Sequence, residues 1–230
     1  MTVRKRVAVL ASGGGSNLQS VLDHFATLGD RRSADVALVA ANRAPAGALD
    51  RARRAGIAAV VASPDATAAV LAEHAIDLVV LAGYLAFVPA AVTERWTGRI
   101  INVHPALLPA FGGSGLYGLR VHRAVLEAGV RVTGATVHFV DAEYDRGPII
   151  AQWPVPVAAG DTAESLAARV LRVEHVLLPR AVDALARGAV TLDANGRAGG
   201  GAAPAPPSAF AMEMPDDLTL ASEIDALFAA

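Results

Sequence analysis

Arg6-Val7-Ala8-Val9-Leu10-Ala11-Ser12-Gly13-Gly14-Gly15-Ser16-Asn17 is the stretch on which the fold turns. Val7 to Ala11 is apolar without alternation, runs into three glycines, and is followed by a helical pattern over Asn17–Leu28. A short apolar run without period-2 alternation reads as a strand covered on both faces, the kind that builds parallel sheets. Working outward, further strands are expected at Val36–Ala41, Ala58–Ala62, Leu78–Ala82, Ile100–His104, Ala135–Val140 and Ile149–Val157. Helical patterns lie between them at Ala46–Ala55, Ala66–His74, Pro89–Trp96 and Val121–Ala128, and a long one at Thr162–Arg187 closes the series. Strands separated by roughly 10–15 residues of helix are the mark of βαβ units, so the fold class is α/β, a mostly parallel twisted sheet flanked by helices.

Composition narrows the function. The 230 residues carry a net charge of −2, no run of basic residues longer than Arg4-Lys5-Arg6, and no cysteine. A general binder of nucleic-acid backbones carries a basic surplus, so none is expected here. Disulfide scaffolds, thiolate metal sites and cysteine nucleophiles are excluded. Arg4-Lys5-Arg6 precedes only five apolar residues, short of the roughly 7–15 of a signal peptide. No stretch approaches the roughly 20 apolar residues of a membrane span. The expected location is cytoplasmic.

The glycine loop suits a phosphate. Glycines after a strand let backbone approach a ligand, and the next helix offers unpaired N–H groups and a positive dipole end. Ser16 and Asn17 are expected to cap that helix and face an anion. The dinucleotide fingerprint fails, because its third glycine falls on Leu18, and a Walker A loop fails, because Lys5 is the only lysine. A phosphomonoester site is favoured over a dinucleotide site; a ligand-free glycine turn is the bland alternative.

Asn102-Val103-His104 ends a strand with two polar residues two apart, so both side chains share a face at the carboxyl end where α/β sheets bind ligands. An amide donor beside a titratable imidazole can stabilise an oxyanion and exchange a proton. A strand-end histidine is also often a plain hydrogen-bonded boundary residue. Asp141 and Asp145 precede Gly147-Pro148, where they either initiate a turn or, if one reaches His104, raise its pKa and orient it. His24 and His74 read as partnerless surface positions, and His122 and His138 as structural residues with a second-shell or substrate contact as the other reading. Glu174 fits an ordinary solvated helix position.

These motifs together carry a resemblance. Ala11-Ser-Gly-Gly-Gly-Ser-Asn-Leu18, Leu81-Ala-Gly-Tyr84, Ile101-Asn-Val-His-Pro-Ala-Leu-Leu-Pro109, Thr133-Gly-Ala-Thr-Val-His-Phe-Val140 and Asp145-Arg-Gly-Pro148 resemble, in order, the phosphoribosylglycinamide formyltransferases over about residues 5–192. The resemblance implies a Rossmann-like formyltransferase fold and transfer of the formyl group of 10-formyltetrahydrofolate to the amine of glycinamide ribonucleotide in purine synthesis. It implies a catalytic trio of Asn102, protonated His104 and Asp145, with Asp145 helping to move the proton. Gly15, Ser16, Asn17 and Glu174 would bind the ribonucleotide. Leu85, Ala86, Phe87, Val88, Asp141, Ala142, Glu143 and Tyr144 would bind the folate, a co-substrate. No metal, nucleic acid or membrane is implied, and the expected state is monomer or homodimer. Three departures stand out: Leu85-Ala86 replaces the family's Met-Arg or Met-Lys, the helix at Ala66–His74 is short and lacks the arginine often found before it, and Phe111–Gly118 is slightly longer and lid-like.

The catalytic domain is expected at 1–192, a Gly/Ala/Pro-rich linker at 193–209, and an acidic extension compatible with a short helix at 210–230. Two alternatives accompany the transferase reading. A formyltetrahydrofolate hydrolase usually has an added N-terminal domain, whereas the catalytic fold here is expected to begin at Val7. A non-catalytic nucleotide-binding module would bind phosphate without turnover.

Overall fold

The computed structural model describes residues 3–199. The chain alternates β1 (Lys5–Ala11), α1 (Ser16–Leu28), β2 (Ala34–Ala41), α2 (Gly47–Arg54), β3 (Ala58–Val61), α3 (Pro64–Glu73) and β4 (Leu78–Leu81). It continues through α4 (Ala90–Thr93), β5 (Ile100–His104), α5 (Leu119–Glu127), β6 (Val132–Phe139), β7 (Ile149–Pro156) and α6 (Ala163–Ala186). All seven expected strands and all six expected helices are present, with ends shifted by a few residues. The helix expected at Ala66–His74 starts earlier, at Pro64, because the Ser63 hydroxyl accepts from Ala66 N and Pro64 suits the first turn. Part of the expected linker, Asp193–Gly199, turns back on the chain: β8 (Thr191–Leu192) pairs with β9 (Ala198–Gly199). The rest of the linker and the extension at 210–230 lie outside the described residues.

The sheet order is β3-β2-β1-β4-β5-β6-β7. The first five strands are parallel; β5–β6 and β6–β7 are antiparallel. The chain winds outward from β1 through β2 and β3, then crosses back to β4. The carboxyl ends of β1 and β4 therefore flank the point where the winding reverses, the usual seat of a ligand in an open α/β sheet.

Alternation along β1 explains its unbroken apolarity. Val7, Val9 and Ala11 pack with α1, α2 and α6, while Ala8 and Leu10 pack with Leu71, Val92 and Trp96 on the other face. α1 buries Leu18, Val21 and Phe25, spaced as one helical face. A capping box between Thr162 and Ser165 starts α6. The edge strand β7 carries Pro154 and Pro156, two apart. Val157 N donates to Arg131 O at 2.9 Å on the β6 side, so by alternation the ring nitrogens of Pro154 and Pro156 face outward and cost no bond to β6.

Among the described residues no helix is long and apolar enough to cross a membrane.

Candidate active site

Ser12, at the end of β1, ties together the loops that follow three strands. Its N–H donates to Gly83 O at 3.0 Å, its hydroxyl donates to Asn42 Oδ1 at 2.7 Å, and the same oxygen accepts from Leu85 N at 2.9 Å. Beside this junction opens a cavity of about 800 Å³, lined from α1, the β4–α4 loop, β5, the loop before α5, the β6–β7 loop and α6.

β5 places Asn102 and His104 on the cavity side, as their two-residue spacing requires. The antiparallel register sets His138 opposite Asn102 and Thr136 opposite His104, so β6 repeats the pattern of β5 in mirror image. His138 Nδ1 donates to Phe139 O at 2.7 Å, which leaves Nε2 to accept from Asn102 Nδ2 at 3.1 Å. His138 Nε2 also lies 3.6 Å from Asp145 Oδ1.

Asp145 joins the two strands' side chains. Its Oδ2 lies 3.4 Å from His104 Nδ1 and accepts from Gly113 N at 2.9 Å, while Asn102 Nδ2 approaches Oδ1 at 3.4 Å. The backbone of Asp145 is left-handed, φ 54°, the kind of strained position that surrounding structure must hold in place. Gly147 is part of what holds it, since a Cβ there would collide with the carbonyl oxygen of Phe139. Only glycine lets the turn pass close enough to aim Asp145 at the histidines.

Burial dominates the electrostatics. It lowers the His104 pKa, and although the Asp145 charge and the hydrogen bond to Phe111 O oppose it, the net direction is down. Asp145 does reach His104 and does pull its pKa up, as the sequence reading expected, but desolvation outweighs that pull, and the ring at rest is neutral near pH 7. Its Nε2–H donates to Phe111 O at 2.8 Å. Burial also pushes the Asp145 carboxyl up, but His138, the His104 charge and Gly113 N–H together hold it below its ordinary value. His122, 3 % exposed, has its pKa lowered to about 4 by burial and by His104.

Glu174 on α6 is buried, not solvated. Asn17 Nδ2 donates to its Oε2 at 2.7 Å, and burial raises its pKa to about 7 against that bond. Asn17 Oδ1 is buried with no partner, an acceptor without a donor beside a carboxyl.

Residues 5–182 match the family model described as Formyl transferase. The chain belongs to the formyl transferase family. It is 45% identical over 193 residues to the chloroplastic phosphoribosylglycinamide formyltransferase of Arabidopsis thaliana, covering 79% of this chain and 65% of that relative's length. It is 38% identical over 199 residues to the phosphoribosylglycinamide formyltransferase of Escherichia coli (strain K12), covering 82% of this chain and 91% of the relative. A solved structure, glycinamide ribonucleotide transformylase 1 from Symbiobacterium toebii, superposes with a TM-score of 0.77 at 42% identity over 85% of this chain and 93% of the other.

Within this formyl transferase chain, the sequence-derived site residues divide. Asn102, His104 and Asp145 meet. Leu85, Ala86, Phe87, Val88, Asp141, Glu143 and Tyr144 line the cavity, whereas Ala142 does not. Of the glycine-loop residues only Asn17 lines it. Ser16 and Asn17 do not cap α1: Gly15 holds the N-cap position in a left-handed conformation, φ 76°, with no side-chain cap. Close packing explains this, since a Cβ at Gly15 would lie 2.7 Å from Ala48 Cα. The first N–H groups of α1 are thereby left without intrahelical acceptors.

Three residues were missed or undervalued. Arg51 on α2 donates from Nε to Gly14 O at 2.8 Å and from Nη1 to Gln19 Oε1 at 3.1 Å, bringing a cation to the glycine loop. His138 belongs to the polar floor, and the repeated polar-x-polar pattern of Thr136 and His138 was its one signal. His122 lines the cavity. Nor are His24 and His74 partnerless. His24 Nε2 lies 4.0 Å from Asp183 Oδ2, and His74 Nδ1 donates to Val70 O at 2.9 Å. Among the described residues, no group of three or more His, Asp or Glu side chains is placed to hold a metal ion.

Proposed function

We propose that this chain transfers the formyl group of 10-formyltetrahydrofolate to the amine of glycinamide ribonucleotide, in purine synthesis, as a cytoplasmic monomer or homodimer working on free small molecules. The observation that carries the reading is the convergence of Asn102, His104, His138 and Asp145 on one cavity floor, in a member of the formyl transferase family.

The amine nitrogen attacks the formyl carbon, and the carbonyl electron pair moves onto oxygen. Asn102 Nδ2 carries two N–H groups: one is held by His138, and the other is spent only on a long 3.4 Å approach to Asp145. That second N–H is the donor for the oxyanion. Nδ1 of neutral His104 is the site for the proton the amine loses, delivered through water. The imidazolium so formed lies 3.4 Å from Asp145, which stabilises it and hands the proton on. Protonation of the folate nitrogen then lets the carbon–nitrogen bond break, giving a formylated amine and tetrahydrofolate. A proton taken up during the reaction reconciles the implied protonated His104 with its depressed resting pKa.

At the other end, the N-terminus of α1 with Gly15, Ser16 and Arg51 suits the ribonucleotide phosphate. The unsatisfied Asn17 Oδ1 and the Glu174 carboxyl suit its donor groups.

The test follows 10-formyltetrahydrofolate by absorbance with and without glycinamide ribonucleotide. Loss that requires the ribonucleotide supports the transferase. Loss without it makes the chain a hydrolase, and no loss in either arm overturns the catalytic reading.

A further inference from the structure

Ser12 is 1% exposed, and each of its polar groups is engaged by a loop at the carboxyl edge of the sheet. Its N–H and its hydroxyl oxygen hold the β4–α4 loop at two points, Gly83 O and Leu85 N. Its hydroxyl hydrogen goes to Asn42 in the loop after β2, and its carbonyl accepts from Arg43 Nε in that same loop. The next three residues are the glycine loop itself, anchored on α2 by Ala48 N donating to Gly13 O at 3.1 Å and by Arg51 donating to Gly14 O. One buried serine thus stands between the loop that suits a phosphate and the loop that carries Leu85, Ala86 and Phe87 to the cavity.

The hydroxyl satisfies both partners in one orientation, with its hydrogen toward Asn42 and a lone pair toward Leu85. A shift of either loop breaks that arrangement and leaves a buried polar group unpaired, which is costly. A Cβ on Gly13 or on Gly83 would meet nothing within 4 Å, and Gly83 is left-handed, φ 69°. The backbone on both sides of the junction therefore has room to shift, and the bonds to Ser12 tie the shifts together.

We propose that Ser12 is a positioning residue that couples the two substrate subsites. A ligand that fixes the glycine loop fixes the β4–α4 loop through this hydroxyl, so the second ligand meets a loop already ordered. By linkage the effect is reciprocal: the folate tightens the ribonucleotide by the same factor as the ribonucleotide tightens the folate. The inference rests on the formyl-transfer reading above, which assigns one loop to each substrate.

The test is titration calorimetry on the full chain with glycinamide ribonucleotide and tetrahydrofolate, which lacks the formyl group and so permits no turnover. Each Kd is measured alone and with the other ligand saturating. In the wild type each ligand should tighten the other about fivefold or more. In Ser12→Ala that factor should fall to about one, while each ligand alone binds within about threefold of wild type. Asn42→Ala breaks the same junction from the other side and should lower the factor too, whereas Asn42→Asp keeps an acceptor for the hydroxyl and retains it. In the formylation assay, the KM for each substrate should fall as the other is raised in the wild type and stay constant in Ser12→Ala. A wild-type factor of about one overturns the proposal, as does full coupling in both Ser12→Ala and Asn42→Ala. Weaker binding of both ligands with the factor unchanged makes the serine merely structural and overturns it equally. Failure of either ligand to bind removes the assignment of the loops and the proposal with it. Coupled binding that depends on Ser12, without any formyl transfer, leaves the junction standing and removes the transfer reading alone.

Discussion

At the residue scale, His104 and Glu174 are each moved by burial, in opposite chemical senses. His104→Ala should lower kcat by roughly 10²–10⁴-fold, the range for loss of a positioned acid–base group, with ribonucleotide affinity nearly unchanged. Rapid-mix kinetics and titration calorimetry would separate the two effects, and near-normal turnover removes His104 from the mechanism. Glu174 gives a sign that stability measurements can check. Its folded pKa of about 7 lies above the ordinary 4.5. Between those values the folded chain holds a proton that the unfolded chain has released, so stability is full below about 4.5 and is lost as pH rises through 7. The residue is buried, 6 % exposed, and the loss comes to roughly 3 kcal/mol. Urea midpoints at pH 5 and pH 8 should show that fall in the wild type and a flatter profile in Glu174→Gln; equal slopes would mean the carboxyl titrates normally. The pairing of Asn102 with His104 was legible because a strand's period is two. The burial of Glu174 was not, because it depends on α6 lying against Asn17 of α1, a contact between residues 157 apart in sequence.

At the element scale, the strands announced themselves through continuous apolar runs and the helices through the longer patterned stretches between them. What stayed hidden was direction. Nothing in Ala135–Val140 says that it runs antiparallel to Ile100–His104, and that reversal alone sets His138 against Asn102. It also hid the reach of Asp145, whose turn returns over the end of β6 only because Gly147 has no Cβ. Gly147→Ala should therefore do two things at once. It should destabilise the fold by at least about 2 kcal/mol through backbone collision, and it should lower kcat by displacing Asp145. A thermal melt and a turnover assay at a temperature where the variant stays folded would check both. A stable variant with normal kcat would show that the turn has another way past Phe139.

At the scale of the whole molecule, the winding reversal between β1 and β4 gathers residues from α1, β5, β6 and α6 into one cavity, so binding should be felt by the fold as a unit. A ligand at about 100 times its Kd adds roughly 2.7 kcal/mol, which for a chain of this size raises Tm by about 5–10 °C. Scanning calorimetry with saturating glycinamide ribonucleotide should show that shift, and an unmoved Tm would argue against the phosphate and ribose contacts. The parallel βαβ architecture was fully readable from the alternation of elements, since each strand's apolarity reports the helices that cover it. The small hairpin at Thr191–Gly199 was not, because its glycine-rich composition reads the same whether or not two short strands happen to pair.

Pro154 and Pro156 in the edge strand carry a consequence for the protein in concentrated solution. A neighbouring chain seeking to extend the sheet past β7 would find successive outward amide donors missing, and no register shift by two restores both. Growth of the sheet is thus hindered on that flank by covalent structure, which disfavours edge-to-edge pairing of neighbouring chains. The opposite margin, the four-residue β3, is kept short instead.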